Sequence, residues 1–248
     1  MAQCIVPLNE IVQPAIKDVI RYNEARQNST GKGKSCAVTF MHGGEPVKLI
    51  VQTPKMWCQF GVDEFKPEDG GPPKYSIRLG FKNLAGGGPM ADLHGFLKSI
   101  DANNIEQAMA NQTTWWPNTG VKSRDIIEDR YTPIIKSHES GQYEDQMRVK
   151  LMFKSGVYDG LVFNDTSPPT EISTSQIEPK CHLITLLEFG PIWIADKSFG
   201  QTIRAVQVKV FKQQSIRSYA INDVDMEDAE TEEDTEVDVS KEDDADEF

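Results

Sequence analysis

Three stretches of the chain carry basic side chains on one parity and apolar ones on the other. Arg78 and Lys82 alternate with Tyr75, Ile77, Leu79 and Phe81. Arg148, Lys150 and Lys154 alternate with Val149, Leu151 and Phe153. Lys209 alternates with Val206, Val208 and Val210. Large rings are spaced along the same chain. Trp57 and Phe60 follow Lys55 in the segment TPKMWCQFG, and Trp115 and Trp116 follow the polar break Asn111–Thr114. Lys32 and Lys34 stand in the short segment STGKGKS. Cations that track phosphates, combined with rings that stack on bases, are the two requirements for binding a single nucleic-acid strand without regard to its sequence. That chemistry forms and breaks no covalent bond. Adjacent tryptophans in an irregular segment are expected to divide, one in the core and one exposed. Trp193, within PIWIAD, reads as core.

Other chemistries fit poorly. The segment Ser29–Ser35 resembles a phosphate loop, but the first glycine of that motif should stand at position 28, which holds Asn28. A strand rather than a helix is expected after it. The four histidines (His42, His94, His138, His182) lack metal-ligand spacing, and no Gly-x-Ser-x-Gly elbow is present. Cys4, Cys36, Cys58 and Cys181 are far apart with no C-x-x-C pair, so they read as buried thiols of a reducing, intracellular compartment. Cys181 and His182, as neighbours on a strand, should face opposite ways and share no metal. Neither a catalytic residue, a metal nor a cofactor is expected.

The elements that must carry these residues are mostly strands. The period-two segments are half-buried antiparallel strands. Further strands are predicted over Lys17–Glu24, Ser35–Met41, Val47–Thr53, Gly160–Asn164 and Cys181–Glu188, with a bend at Gly190-Pro191 before Ile192–Ala195. One helix is predicted from Leu93, Phe96, Leu97 and Ile100, which share a stripe at i, i+3, i+4 and i+7, with Pro89 in its first turn. The stripe drifts near Asp101, which is read as the cap of a second short helix reaching Ala110. Many strands and one inserted helix predict a mainly β protein, an OB-like closed antiparallel barrel. No run of 18 apolar residues is present, so no helical membrane span is expected.

Charge divides the chain in two. Of 38 acids and 26 bases, the segment Asn222–Phe248 holds 15 acids and a single base, Lys241. Residues 1–221 keep 25 bases against 23 acids and are slightly basic. The expected organisation is a binding domain over 1–221 and a disordered acidic tail over 222–248, because a block of like charge repels itself and buries no core. A tethered polyanion competes with any polyanion that the body binds. The tail closes on Asp243, Asp244, Asp246, Glu247 and Phe248, where the ring supplies an apolar anchor that carboxylates lack.

The turn Gln52–Gly61 (QTPKM…FG), the late run Gly190–Val210 (GPIWIADKSFG…QVKV), the single helix in a β-rich body and the acidic tail together resemble the phage T-seven type of single-stranded DNA-binding protein, in the branch found in large nucleocytoplasmic DNA viruses. The chain departs from that pattern at Thr202-Ile203-Arg204, where the resemblance implies an aromatic residue. The resemblance implies an OB fold without catalysis that coats single-stranded DNA in replication, recombination or repair. It also implies a tail that occludes the DNA groove and docks a polymerase, helicase or primase. Nucleus and cytoplasmic viral factory both suit such a protein, and a homodimer stays open. Two other classes are compatible with the composition: an acidic chaperone for histone-like proteins, which would work through the tail, and a structural virion protein.

Overall fold

The structure is a computed structural model and describes residues 2–12, 15–29, 33–68, 70–138 and 140–212. Lys32 and the whole acidic segment lie outside the described residues. Five strands close a barrel: β1 (Met56–Cys58), β2 (Lys74–Gly80), β3 (Gln146–Leu151), β4 (Cys181–Ile194) and β5 (Phe199–Phe211). Round the ring, β1 pairs with β2, β2 with β3, β3 with β5, β5 with β4, and β4 returns to β1. Four of these contacts are antiparallel. The β3–β5 contact, Lys150 opposite Arg204 and Leu151 opposite Ala205, is parallel. The barrel is OB-like as the strand pattern predicts, with one parallel contact where all-antiparallel closure was expected. The long β4 also extends outward, pairing with Glu45–Gln52, which in turn pairs with Val38–His42 and with Ala2–Val6.

The alternating apolar residues fill the barrel. Ile77, Leu79, Met147, Val149, Leu151, Leu183, Leu187, Phe189, Ile203 and Val210 are all buried. Two bulges break the alternation. Opposite Leu186 and Leu187 the register on β5 jumps from Gln207 to Ala205, so Val206 is the extra residue. A bulge shifts parity, which turns Val206 outward to a half-buried position where the simple alternation had placed it inside. The second bulge is Gly190-Pro191 opposite Thr202. A Cβ on Gly190 would stand 3.1 Å from the Thr202 carbonyl oxygen, so any larger residue there would press the two strands apart by a few tenths of an ångström. The predicted bend is therefore a kink within one strand rather than its end.

The helix α1 runs unbroken from Pro89 to Ala110, one element where the sequence pattern suggested two. Its buried stripe continues past Ile100 through Asp101, Asn104 and Ala108. The stripe looks interrupted because its middle positions are polar. Asp101 accepts hydrogen bonds from Tyr131 Oη (2.6 Å) and from the backbone N–H of Ile134 (2.9 Å) and Ile135 (3.3 Å). Asn104 donates to Tyr131 Oη and to Gln201 Oε1 and accepts from Tyr22 Oη. These bonds satisfy polar groups that would be costly to bury alone. They bind the helix to β5, to the Tyr131 segment and to the strand Ile20–Tyr22. The segment Lys17–Glu24 is a helical turn, Ile16–Val19, followed by that strand.

Candidate nucleic-acid interface

The outward residues at one end of the barrel line up in register. Phe211 of β5 stands opposite His182 of β4, His182 opposite Trp57 of β1, and Trp57 opposite Gly80 of β2. Their inward neighbours are buried, as with Cys181, Met56 and Cys58, so alternation forces this row to the surface. Phe211, His182 and Trp57 are each half-buried. Trp57 and His182 meet edge to face at 5.0 Å.

Lysines fill the gaps between the rings. Lys82 Nζ lies 4.5 Å from the centre of the Trp57 ring. Lys55 Nζ and Lys209 Nζ lie 4.2 Å and 5.3 Å from the centre of the Phe211 ring. Two residues along β2 from Gly80, the Arg78 guanidinium sits 4.6 Å from the Phe60 ring, which is 42% exposed. Arg78 stands directly opposite Arg148 of β3, and Lys150 follows on the same face. Arg148 Nε donates to Ser76 Oγ at 2.8 Å, which fixes the stem and leaves the rest of the fork facing outward. The band closes at Lys74, paired in register with the exposed Phe65.

The electrostatics of the band are those of crowded positive charge. His182 has its pKa lowered, first by desolvation and then by Lys55 and Lys82. The ammonium of Lys150 lies 3.4 Å from Thr202 Oγ1 and titrates below the usual lysine value. Desolvation is the first cause there, and Lys74 and Arg148 follow. Among the described residues Lys55, Lys74, Lys82, Arg148, Lys150 and Lys209 make no ion pair, although Arg78 is held by Asp63 at 2.8 Å.

The structure thus brings together Lys55, Trp57, Phe60, Arg78, Lys82, Arg148, Lys150 and Lys209. Four other expectations fare differently. Trp115 and Trp116 are both in the core, 4% and 6% exposed, rather than one inside and one outside. They pack edge to face on each other and on Phe199, and Trp116 Nε1 donates to the Ala195 carbonyl at 2.7 Å. The short helix Gln112–Trp115 turns both rings inward, so neither is a stacking platform. Lys34 donates to the Thr114 carbonyl at 2.6 Å and pairs in register with Ile194, at the far end of β4 from His182. Lys154 is neutralised by Asp159 at 2.8 Å. Trp193 is half-buried beside Gly200, neither sealed in the core nor on the band.

His182, Phe211, Lys74 and Phe65 complete the band and were not singled out from the sequence. The signal was present for two of them. Phe211 falls on the outward parity of its strand with Lys209, and His182 on the parity opposite Cys181.

Fold and surface define the class: an OB-like barrel whose outer wall carries an unpaired cationic band set with rings. Residues 92–225 match the family of unknown function DUF5871, and the chain belongs to that family. It is 28% identical over 168 residues to the uncharacterized protein L291 of Acanthamoeba polyphaga mimivirus. That match covers 66% of this chain and 26% of the relative, so the chain spans about a quarter of the relative's length. Among solved structures it is similar to the single-stranded DNA-binding protein of bacteriophage Enc34 in complex with ssDNA. The TM-score is 0.43 at 17% identity, covering 72% of this chain and 92% of that one. It is also similar to gp2.5, a single-stranded DNA-binding protein encoded by bacteriophage T7. There the TM-score is 0.43 at 9% identity, covering 70% and 97%. At that level of similarity the function rests on the chain's own side chains.

Proposed function

We propose that this protein binds single-stranded DNA without sequence preference along the band from Phe211 to Lys74. The observation that carries the reading is the set of six cations that make no ion pair among the described residues, interleaved with half-buried and exposed rings on registered positions of the barrel. Bases stack on Trp57, Phe60 and Phe211, because every base presents a π-face. Phosphates replace the missing counter-charges of Lys55, Lys74, Lys82, Arg148, Lys150 and Lys209. A duplex keeps its bases stacked on each other and offers only its backbone, so it binds more weakly.

The acidic segment Asn222–Phe248 is the second part of the proposal. Its 15 acids face a body that is slightly basic, and it is tethered to that body. A competitor tethered in this way acts at an effective concentration near the millimolar range or below. The segment therefore competes with DNA for the band, and DNA that displaces it frees the segment for replication proteins. Asp243, Asp244, Asp246 and Glu247 supply charge to that second contact, and Phe248 is the one aromatic residue in the segment.

Titrating the full chain and a chain truncated after Ile221 with a labelled single-stranded oligonucleotide, at several salt concentrations, tests both parts. Six neutralised phosphates predict a log–log salt slope of about −4. The truncated chain is expected to bind more tightly at low salt. A slope near zero overturns the band. Equal affinities for the two chains overturn the competition while leaving the band standing.

A further inference from the structure

Of the four free cysteines, two meet. Cys58 of β1 and Cys181 of β4 stand directly opposite each other in the antiparallel register, and both are buried. Opposed residues of such a pair have Cα atoms about 4.5–5.5 Å apart, within the span of about 4.4–6.8 Å that a disulfide bridges. Their outward neighbours are Trp57 and His182, so both thiols point into the barrel on the same side. The remaining two cysteines have no such partner: Cys36 Sγ is bonded to the Asn23 carbonyl at 3.0 Å, and Cys4 stands opposite Leu49.

We propose that Cys58 and Cys181 are a reversible disulfide pair, oxidised by a peroxide, that staples the β1–β4 seam directly beneath the Trp57–His182 pair. Cys58 is the attacking thiol. The neighbouring Cys181 thiol pulls its pKa below the ordinary thiol value, against the effect of burial. The Cys58 thiolate attacks one peroxide oxygen and the O–O bond breaks. Cys58 becomes a sulfenic acid, and the leaving hydroxide takes up a proton as water. The Cys181 sulfur then displaces hydroxide from the Cys58 sulfur, its proton leaving with the second water. Two thiols lose two electrons in all, and one peroxide is reduced to two waters.

The seam can admit the oxidant because β1 is the least anchored strand of the ring. It is three residues long, with three register pairs to β4 and one to β2. Short strands with few bonds open locally far below the energy of global unfolding. Once formed, the bond holds the sulfurs about 2.05 Å apart and closes a loop from residue 58 to residue 181. Constraining so long a loop in the unfolded chain is expected to raise Tm by about 10–20 °C.

The test uses the full chain treated with hydrogen peroxide, followed by alkylation of remaining thiols in denaturant and peptide mass spectrometry. The expected product is a Cys58–Cys181 linked peptide lacking two hydrogens, with the Tm rise, both reversed by a dithiol reductant. A Cys4→Ser, Cys36→Ser variant should form the same link, and Cys58→Ser should form none. Cys58 and Cys181 both recovered alkylated while Cys4 is oxidised, Cys58 halted at sulfinic acid, or links to Cys4 or Cys36 would each overturn the proposal. Mass and Tm are read without DNA, so this outcome is separate from that of the DNA-binding proposal.

Discussion

Replacing Trp57 by alanine removes a stacking face without removing a charge. Base–aromatic stacking is worth about 1–3 kcal/mol per base by such a substitution. The dissociation constant for a single-stranded oligonucleotide should therefore rise by roughly 5- to 150-fold. The geometry narrows the expectation. Lys82 lies 4.5 Å from the ring centre and His182 5.0 Å, so the ring also positions a phosphate-binding cation. The upper half of the range follows, because a stray Lys82 weakens the neighbouring phosphate contact as well. The salt slope should stay near its parent value, since all six unpaired cations remain. Lys82→Gln should do the reverse, reducing the slope by about 0.7 with a smaller loss at high salt. Measured together with the double variant, the two losses should not add, because ring and ammonium act on adjacent parts of one nucleotide. Fluorescence anisotropy over a range of salt concentrations reads all of these quantities, and a melting curve confirms that half-buried Trp57 is dispensable to the fold. A folded Trp57→Ala protein that binds within twofold of the parent would refute the stacking role and with it the use of this end of the barrel.

Three further outcomes follow from the same contacts. His182 is held below its ordinary pKa by desolvation and by Lys55 and Lys82. Phosphates beside those lysines reverse the field, so the bound state takes up a proton. Affinity should strengthen as pH falls below about 6.5, and His182→Gln should flatten that dependence in the same anisotropy titration. Trp116→Ala empties a core site and breaks the bond to the Ala195 carbonyl, so it should cost about 3–5 kcal/mol of stability while leaving DNA affinity unchanged for the molecules that fold. Denaturant titration and binding measured on the same sample separate the two effects. Asp101→Asn places an amide N–H against one of three donors in the buried network, and a loss of about 3 kcal/mol, or a Tm lower by about 6–12 °C, is expected by calorimetry.

The barrel was legible in the sequence because its strands bury one face each, and period-two alternation records that burial directly. Legibility failed where the backbone broke its own period. Val206 reads as an inward residue until a bulge, set by the partner strand Leu186–Leu187, turns it out. The helix reads as two because Asp101 and Asn104 occupy core positions, and only their partners on remote segments explain why polar residues are tolerated there. The tryptophan pair failed for a related reason. Composition says that two adjacent indoles seldom hide together, yet a single helical turn over Phe199 gives both a place. Cations on outward parity were identifiable one by one. Which of them are paired was not, since outward parity alone does not say that Asp159 of the same hairpin meets Lys154 or that Asp63 of the neighbouring strand meets Arg78.

The clustering of cations and rings on registered positions is the physical core of the functional reading. Some cations off the band do find carboxylates: Arg204 and Lys48 share buried Glu188, and Lys212 meets Glu178. Along the band burial first, and then neighbouring positive charge, lowers the pKa values of Lys150 and His182. A surface of this kind is less favourable alone than with an anion laid across it. The anion must be long enough to meet six charges on several strands and must offer flat faces to rings at registered spacing. A small phosphate meets one lysine, and an acidic peptide meets the lysines but leaves Trp57 and Phe60 without a stacking partner. A single nucleic-acid strand satisfies both sets at once, so it should displace the acidic segment even though that segment is tethered.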